Sequence, residues 1–212
     1  MSTDKGTRRK RGQVTREAVV TAALEIVDRE GLDKLTMKRL AEQIGCGTMT
    51  VYSHVLDRSD LENAIVARLL AEIDDHVEPG DRWADVLLRA AGTYREMALR
   101  HRNAFPLVLS ASSGEPATAA HLANMAVALS TTGISIDKAY TLLGIADAFT
   151  TGYLLSETEA AAPSEGLASP TGAAQPTAIR RMRDLVSSAV WTGGLEAIII
   201  GVQRTIGLPP VD

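Results

Sequence analysis

Residues 36–54 read TMKRLAEQIGCGTMTVYSH, a stretch that predicts a helix, a tight turn and a second helix. Thr36 is suited to cap the first helix, because its hydroxyl can accept a backbone N–H that has no partner within the helix. Gly45 can end that helix, since glycine adopts the left-handed backbone at little steric cost. Thr48 is then expected to cap a second, short helix over residues 49–54.

The outward face of this short helix has an unusual composition. Val51 and Val55 are expected to face inward, which leaves four polar side chains for the outside: Thr48, Thr50, Tyr52 and His54. Exposed helix faces ordinarily carry charged residues. Hydroxyl and imidazole groups instead suit hydrogen bonds to phosphates and to base edges in a DNA major groove. The segment is therefore a candidate DNA-recognition helix.

The same residues resemble those of a known family. A helix with Leu40, Ala41 and Ile44 at helical spacing is followed by a glycine turn and then by TVYSHV at 50–55. This pattern is similar to the helix-turn-helix of TetR-type transcriptional repressors, and the similarity covers roughly residues 15–65. The resemblance implies contacts with DNA phosphates and bases from six residues: Lys38, Thr48, Thr50, Tyr52, His54 and Arg58.

The charge distribution agrees with a DNA-binding module at the start of the chain. The net charge of the chain is −4, but residues 1–58 hold 11 Lys and Arg against 8 Asp and Glu, whereas residues 59–212 hold 11 against 18. Residues 1–14 are basic, without apolar periodicity, and are expected to be a disordered arm. They form either a solubilising tail or an arm that follows DNA phosphates or enters the minor groove. Residues 15–58 are expected to be a three-helix DNA-binding domain.

The rest of the chain is predicted to be helical. Ser59 is expected to cap a connecting helix over residues 59–78, and residues 79–212 have the helical spacing of a second, C-terminal domain. Within that domain, residues 159–178 are rich in Ala, Pro, Ser and Gly and are expected to be a mobile loop.

Two stretches of the C-terminal domain resemble the tetracycline-repressor type of ligand-binding domain. They read FTTGY at 149–153 and GLEAIIIG at 194–201. The resemblance implies a homodimer whose interface is a four-helix bundle, made by residues 135–157 and 191–206 of both copies.

A small-molecule effector is the second expected partner. Apolar and aromatic residues of the C-terminal domain form either ordinary core or, taken together, a largely apolar cavity. By the same resemblance, the positions that hold tetracycline and magnesium in tetracycline repressors correspond here to Asp74, Ala90 and Val108. These residues differ from the polar ligands expected there, which argues against tetracycline with magnesium as the effector. The candidate ligand-binding residues, among which Tyr94 and His101 could form hydrogen bonds, are Trp83, Tyr94, His101, Phe105, Leu109, Met125 and Phe149.

The sequence therefore predicts an all-α, homodimeric, ligand-responsive repressor that binds a palindromic DNA operator. The alternative is a helical small-molecule-binding protein or an enzyme without DNA function. We expect no catalytic residues, because no convergent acid, base or nucleophile is visible. We also expect no metal and no cofactor, since the histidines lack ligand spacing. Without a signal peptide or a long apolar stretch, a cytoplasmic location away from membranes is expected.

Overall fold

The computed structural model describes residues 14–111, 114–160 and 188–210. Every regular element in these ranges is helical, which confirms the predicted all-α class. A short 3-10 turn, Leu32–Lys34, joins the first two α-helices. The α-helices are α1 (Arg16–Glu30), α2 (Met37–Ile44), α3 (Thr48–Tyr52), α4 (Arg58–Leu70), α5 (Trp83–Arg100), α6 (Phe105–Ser110), α7 (Pro116–Thr131), α8 (Ile136–Ala160) and α9 (Ser188–Thr205).

Threonine residues cap the first two helices, and the cap at Thr36 confirms the prediction made for that residue. Thr15 Oγ1 accepts the N–H of Ala18 at 3.1 Å, and Thr36 Oγ1 accepts the N–H of Arg39 at 3.1 Å. Gly45 ends α2 in the left-handed conformation, with a φ of 77° that would strain any other residue. These ends set the lengths of helices whose apolar faces form one core, which includes Val19, Ala23, Ile26, Val27, Leu35, Leu40, Val51, Leu61 and Ile65.

Two predicted caps are wrong. Thr48 is the first residue within α3, and the capping position belongs to Gly47, which offers no side-chain hydrogen bond. Asp57, and not Ser59, caps α4: its Oδ1 accepts the N–H of Asp60 at 2.8 Å. A carboxylate is a stronger acceptor than a hydroxyl, so the aspartate two residues earlier takes the cap.

The chain divides into two compact units. The first contains the residues up to Ala71 together with His101–Ala119, and the second contains Glu72–Arg100 together with the residues from Ala120 onward. The segment 101–119 thus groups with the N-terminal helices, whereas the predicted boundaries place it in the C-terminal domain.

Hydrogen bonds to α1 account for this grouping. Nδ1 of His101 lies 2.7 Å from Oδ2 of Asp28, and Nδ2 of Asn103 donates to the carbonyl of Asp28 at 2.8 Å. α6 also packs against α4 within the same unit. These residue pairs are more than 70 positions apart in the sequence, so no periodic sequence pattern predicts them.

The predicted connecting helix over residues 59–78 is too long, since α4 ends at Leu70. Beyond it, Oδ1 of Asp74 accepts the N–H of His76 at 2.9 Å. Such local side-chain bonds compete with helical hydrogen bonding. The chain from 74 to 82 is therefore irregular until α5 begins.

Two predicted flexible segments lie wholly or mostly outside the described residues. The basic arm over residues 1–14 is described only at residue 14, and the predicted loop 159–178 only at its first two residues. Those two belong to α8, which ends at Ala160, so the helix continues slightly past its predicted end.

The second unit is held by aromatic and charged contacts between α5, α8 and α9. The ring of Trp191 lies 6.0 Å from Phe149 and 5.1 Å from Tyr153, measured between centroids. Nε of Arg95 donates to Oε2 of Glu157 at 2.8 Å, and the same guanidinium lies over Trp191. None of the helices in the described ranges has the length and apolar character needed to cross a bilayer.

Candidate functional site

α3 has one anchored side and one outward side. Val51 is 0% exposed, and Val55, just after the helix, is also buried. On the opposite side Thr48 is exposed, Met49 is 78% exposed and Tyr52 is 47% exposed. The buried valines hold a five-residue helix against the core, so the outward side chains occupy defined positions.

α3 ends at Tyr52, two residues before the end of the helix predicted over residues 49–54. Ser53 terminates α3 and its hydroxyl donates to the carbonyl of Thr50 at 2.7 Å, while the N–H of His54 donates to the carbonyl of Val51 at 2.9 Å. These three-residue spacings tighten the last turn. His54 therefore lies in the turn after α3 and, like Thr50, is half-buried.

Arg16 is a residue of this site that the sequence analysis missed. Its Nη1 donates to the carbonyl of His54 at 2.6 Å, and its Nη2 donates to Oδ1 of Asp60 at 2.7 Å. Oδ2 of Asp60 also accepts the N–H of Leu56 at 2.9 Å. The guanidinium therefore fastens the start of α1 to both ends of the turn between α3 and α4.

The contacts of Asp60 make its carboxyl group strongly acidic. Hydrogen bonds from Arg16, and then from the backbone of Leu56, lower the pKa of Asp60 to about 2. The carboxylate is thus charged at neutral pH and ties the turn after the recognition segment in place. No local motif in the sequence signals a pair that is 44 residues apart.

The two predicted cationic contacts differ in how they are held. Lys38 is exposed on α2. Nη1 of Arg58 donates to the carbonyl of Leu35 at 2.7 Å, and its Nε donates to Oε1 of Glu62 at 2.6 Å. Arg58 therefore fastens the start of α4 to the turn before α2, and any phosphate contact would share a guanidinium that is already bound.

Comparisons with known proteins agree with this geometry. No protein-family model matches the chain. Tetracycline repressor protein class D from Escherichia coli is 34% identical over 93 residues, which are 43% of this chain and 43% of that repressor. The match therefore spans less than half the length of this relative.

Solved structures match over nearly the whole chain. The Streptomyces coelicolor TetR family protein ActR, in complex with actinorhodin, has a TM-score of 0.70 and 24% identity, covering 95% of this chain and 100% of that chain. The chain has the same fold as this TetR family protein. BioQ bound to its natural double-stranded DNA operator has a TM-score of 0.62 and 19% identity, covering 91% of this chain and 99% of that chain. These similarities at low identity show the fold.

The candidate ligand-binding residues fall into both units. His101, Phe105 and Leu109 lie in the first unit, where His101 is paired with Asp28. The other candidates lie in the second unit and are Trp83, Tyr94, Met125 and Phe149. Two of these have structural partners: Nε1 of Trp83 donates to the carbonyl of Pro209 at 3.0 Å, and the ring of Phe149 contacts Tyr153 and Trp191.

Polar groups accompany Tyr94 inside the second unit. Its hydroxyl lies 3.5 Å from Oγ1 of Thr151, which in turn donates to Oδ1 of Asp147 at 3.1 Å. Burial raises the pKa of Tyr94 and lowers the pKa of His121. For His121, the charges of Asp75 and Asp147 partly offset the effect of burial. No group of three or more potential metal ligands occurs within the described residues.

α8 and α9 each expose a stripe of uncharged residues. On α8 the exposed residues at helical spacing are Thr141, Gly144, Ile145, Ala148, Gly152 and Leu155. On α9 they are Val190, Gly193, Ala197 and Ile200. Gly194 lies beside them but faces inward, against the ring of Phe149. Small and aliphatic residues on exposed helix faces are suited to packing against another protein surface.

Proposed function

We propose that this chain is a ligand-responsive transcriptional repressor that binds a palindromic DNA operator as a homodimer. The observation that carries the proposal is α3, where buried Val51 directs Thr48 and Tyr52 outward from a helix-turn-helix. Similarity over 93 residues to a tetracycline repressor supports the same assignment. The proposal includes a cytoplasmic location and the absence of catalytic activity.

The DNA contacts are divided by chemistry. Tyr52 and Lys38 contact phosphates, because a phenol and an ammonium donate to anionic oxygen without reading sequence. Thr48 and Thr50 approach base edges, and His54 contributes from the turn. Arg58 contacts a phosphate with the part of its guanidinium that Leu35 and Glu62 leave available.

A homodimer follows from the exposed stripes of α8 and α9. Packing these helices against their copies in a second chain would bury Ile145, Leu155 and Ile200, whose side chains are exposed in the single chain. A two-fold axis relates the two copies of α3, so the operator is palindromic and its half-sites are separated by one helical turn of DNA, about 34 Å, or by a multiple of it.

The effector acts on the spacing of the two recognition helices. It binds within the second unit, beside Tyr94, Met125 and Phe149, and is small and largely apolar. A ligand that prefers the non-binding arrangement by a few kcal/mol is sufficient to release DNA. Effector binding and operator binding are then mutually antagonistic.

The experiment measures the salt dependence of binding to duplex DNA. An operator is first selected from a random duplex pool with the full chain, and affinity is then measured by fluorescence anisotropy between 50 and 200 mM salt. We expect the logarithm of affinity to fall linearly with the logarithm of salt, with a slope of about −0.9 per phosphate contact. Failure to select any duplex would refute the proposal.

Substitutions then test the individual contacts. Lys38→Ala should reduce the magnitude of the salt slope by about 1 for each half-site and weaken binding to all sequences alike. Lys34→Ala removes an equal charge from another exposed lysine of the same unit and serves as the control. If Lys38→Ala and Tyr52→Phe together leave operator affinity unchanged, the assignment of these two residues is wrong.

A further inference from the structure

Met49 is the most exposed large hydrophobic side chain of α3, ahead of Tyr52. It is 78% exposed, although a thioether side chain of this size is ordinarily buried. Its neighbours on the same side are short: Gly47 has no side chain and Thr48 has only a hydroxyl and a methyl. Met49 therefore reaches further from α3 than any residue before it.

The surroundings of Met49 fit a DNA groove. Residues 43–56 contain no aspartate or glutamate, so no carboxylate within this segment repels phosphate. Lys38 is exposed on the preceding helix. The absence of acidic side chains favours a polyanionic partner, because carboxylates at these positions would repel phosphates.

The major groove offers one apolar feature, the C5-methyl group of thymine. The hydrogen-bond donors and acceptors at the base edges make only weak contacts with a thioether. We infer that Met49 is a specificity-determining residue that contacts a thymine methyl in each half-site of the operator. This inference rests on the proposed DNA binding and adds a base preference to it.

The test removes the methyl group and nothing else. In the operator selected with the full chain, each thymine is replaced in turn by deoxyuridine, in both half-sites, and affinity is measured by anisotropy. For the wild-type chain, one thymine position should show a loss of about four-fold per half-site, or about fifteen-fold for the symmetric replacement.

Variants of Met49 identify the residue responsible. Met49→Ala and Met49→Gln should bind the thymine and deoxyuridine operators equally, because the first lacks contact area and the second is polar. Met49→Leu should retain the methyl dependence. Val127→Ala, which shortens an exposed apolar side chain on α7, is the matched control and should behave as wild type. Circular dichroism checks that each variant is folded.

The outcomes separate the inference from the function on which it rests. Absence of any selected duplex refutes DNA binding itself. If the chain binds its operator and no thymine shows methyl dependence, the inference about Met49 is overturned. It is also overturned if Met49→Ala and Met49→Gln keep the wild-type dependence at the same thymine, since another residue would then make the contact.

Discussion

Gly194→Ala should destabilise the protein, although alanine is the better helix former. A Cβ placed on Gly194 would lie 2.6 Å from Cε2 and 3.1 Å from Cε1 of Phe149, and nearer still to Cζ. Favourable carbon contacts lie at about 3.5–4.0 Å. The ring would have to move, and it already packs between Tyr153 and Trp191, each 6.0 Å away between centroids.

Two opposing effects set the magnitude. Inserting a methyl group into a packed site costs about 1–3 kcal/mol. Replacing glycine by alanine within a helix contributes about 0.5–1 kcal/mol in the other direction. The net expectation for Gly194→Ala is a loss of about 1–2 kcal/mol, and each kcal/mol corresponds to a lower Tm by about 2–4 °C for a chain of this size.

Gly92→Ala is the matched control. Gly92 lies within α5 of the same unit, and a Cβ there would meet nothing within 4 Å. This substitution should therefore stabilise the protein by about 0.5–1 kcal/mol. The two substitutions should therefore change the free energy of unfolding in opposite directions. Helix propensity alone would change it in the same direction, so it cannot explain the difference.

The assay is urea unfolding followed by tryptophan fluorescence at one protein concentration, since assembly of identical chains makes stability depend on concentration. One of the two tryptophans, Trp191, stacks directly on Phe149, so its emission also reports the displaced ring. Adding Phe149→Leu should remove most of the cost of Gly194→Ala. If Gly194→Ala stabilises as Gly92→Ala does, the packing argument is refuted.

Two further predictions concern the recognition segment and the dimer. Because the pKa of Asp60 is lowered to about 2, the ionised carboxylate stabilises the fold above pH 4, and this stabilisation is lost as the pH falls towards 2. In Asp60→Asn, the free energy of unfolding should therefore fall less between pH 4 and pH 2 than in the wild type. The expected difference is on the order of 1 kcal/mol, because Arg16 is half-exposed and solvent weakens the pair. Urea titrations across that range measure the effect, with the exposed Asp33→Asn as the control; an unchanged slope would contradict it. Ile200→Glu should convert a dimer to monomers in light scattering because it buries an unpaired charge, whereas Val127→Glu, equally exposed on α7, should not. A dimer that persists in Ile200→Glu would exclude the α9 stripe as the interface.

The local parts of the fold could be predicted because their causes lie within a few residues. The caps at Thr15 and Thr36 and the left-handed Gly45 each depend on a short stretch of sequence and a general property of the residue type. The caps of α3 and α4 were predicted wrongly, because each stretch offers more than one residue that could occupy the cap position. At the start of α4 both Asp57 and Ser59 could accept, and the carboxylate of Asp57, the stronger acceptor, takes the cap.

The contacts that hold the site could not be predicted, because they join distant parts of the chain. Arg16 with Asp60, and Asp28 with His101, are pairs of ordinary surface residue types without any motif. Each is specified by where the helices meet, and that depends on the whole core. Similarly, Phe149 is an aromatic residue that suits a ligand cavity, but its partner Gly194 lies on another helix and gives the ring a packing role.

The buried and the outward-facing residues of the helix-turn-helix contribute differently to the proposed DNA sequence preference. The buried positions of the helix-turn-helix, such as Val51 and Leu40, fix where α3 lies, and they have no contact with a base. The residues that face outward are not constrained by that core, since removing an exposed side chain costs the fold little. Gly47, Thr48 and Met49 can therefore differ from chain to chain while the helix stays in place. For this reason an exposed methionine beside two small residues is stronger evidence about the operator than the resemblance of the surrounding helices.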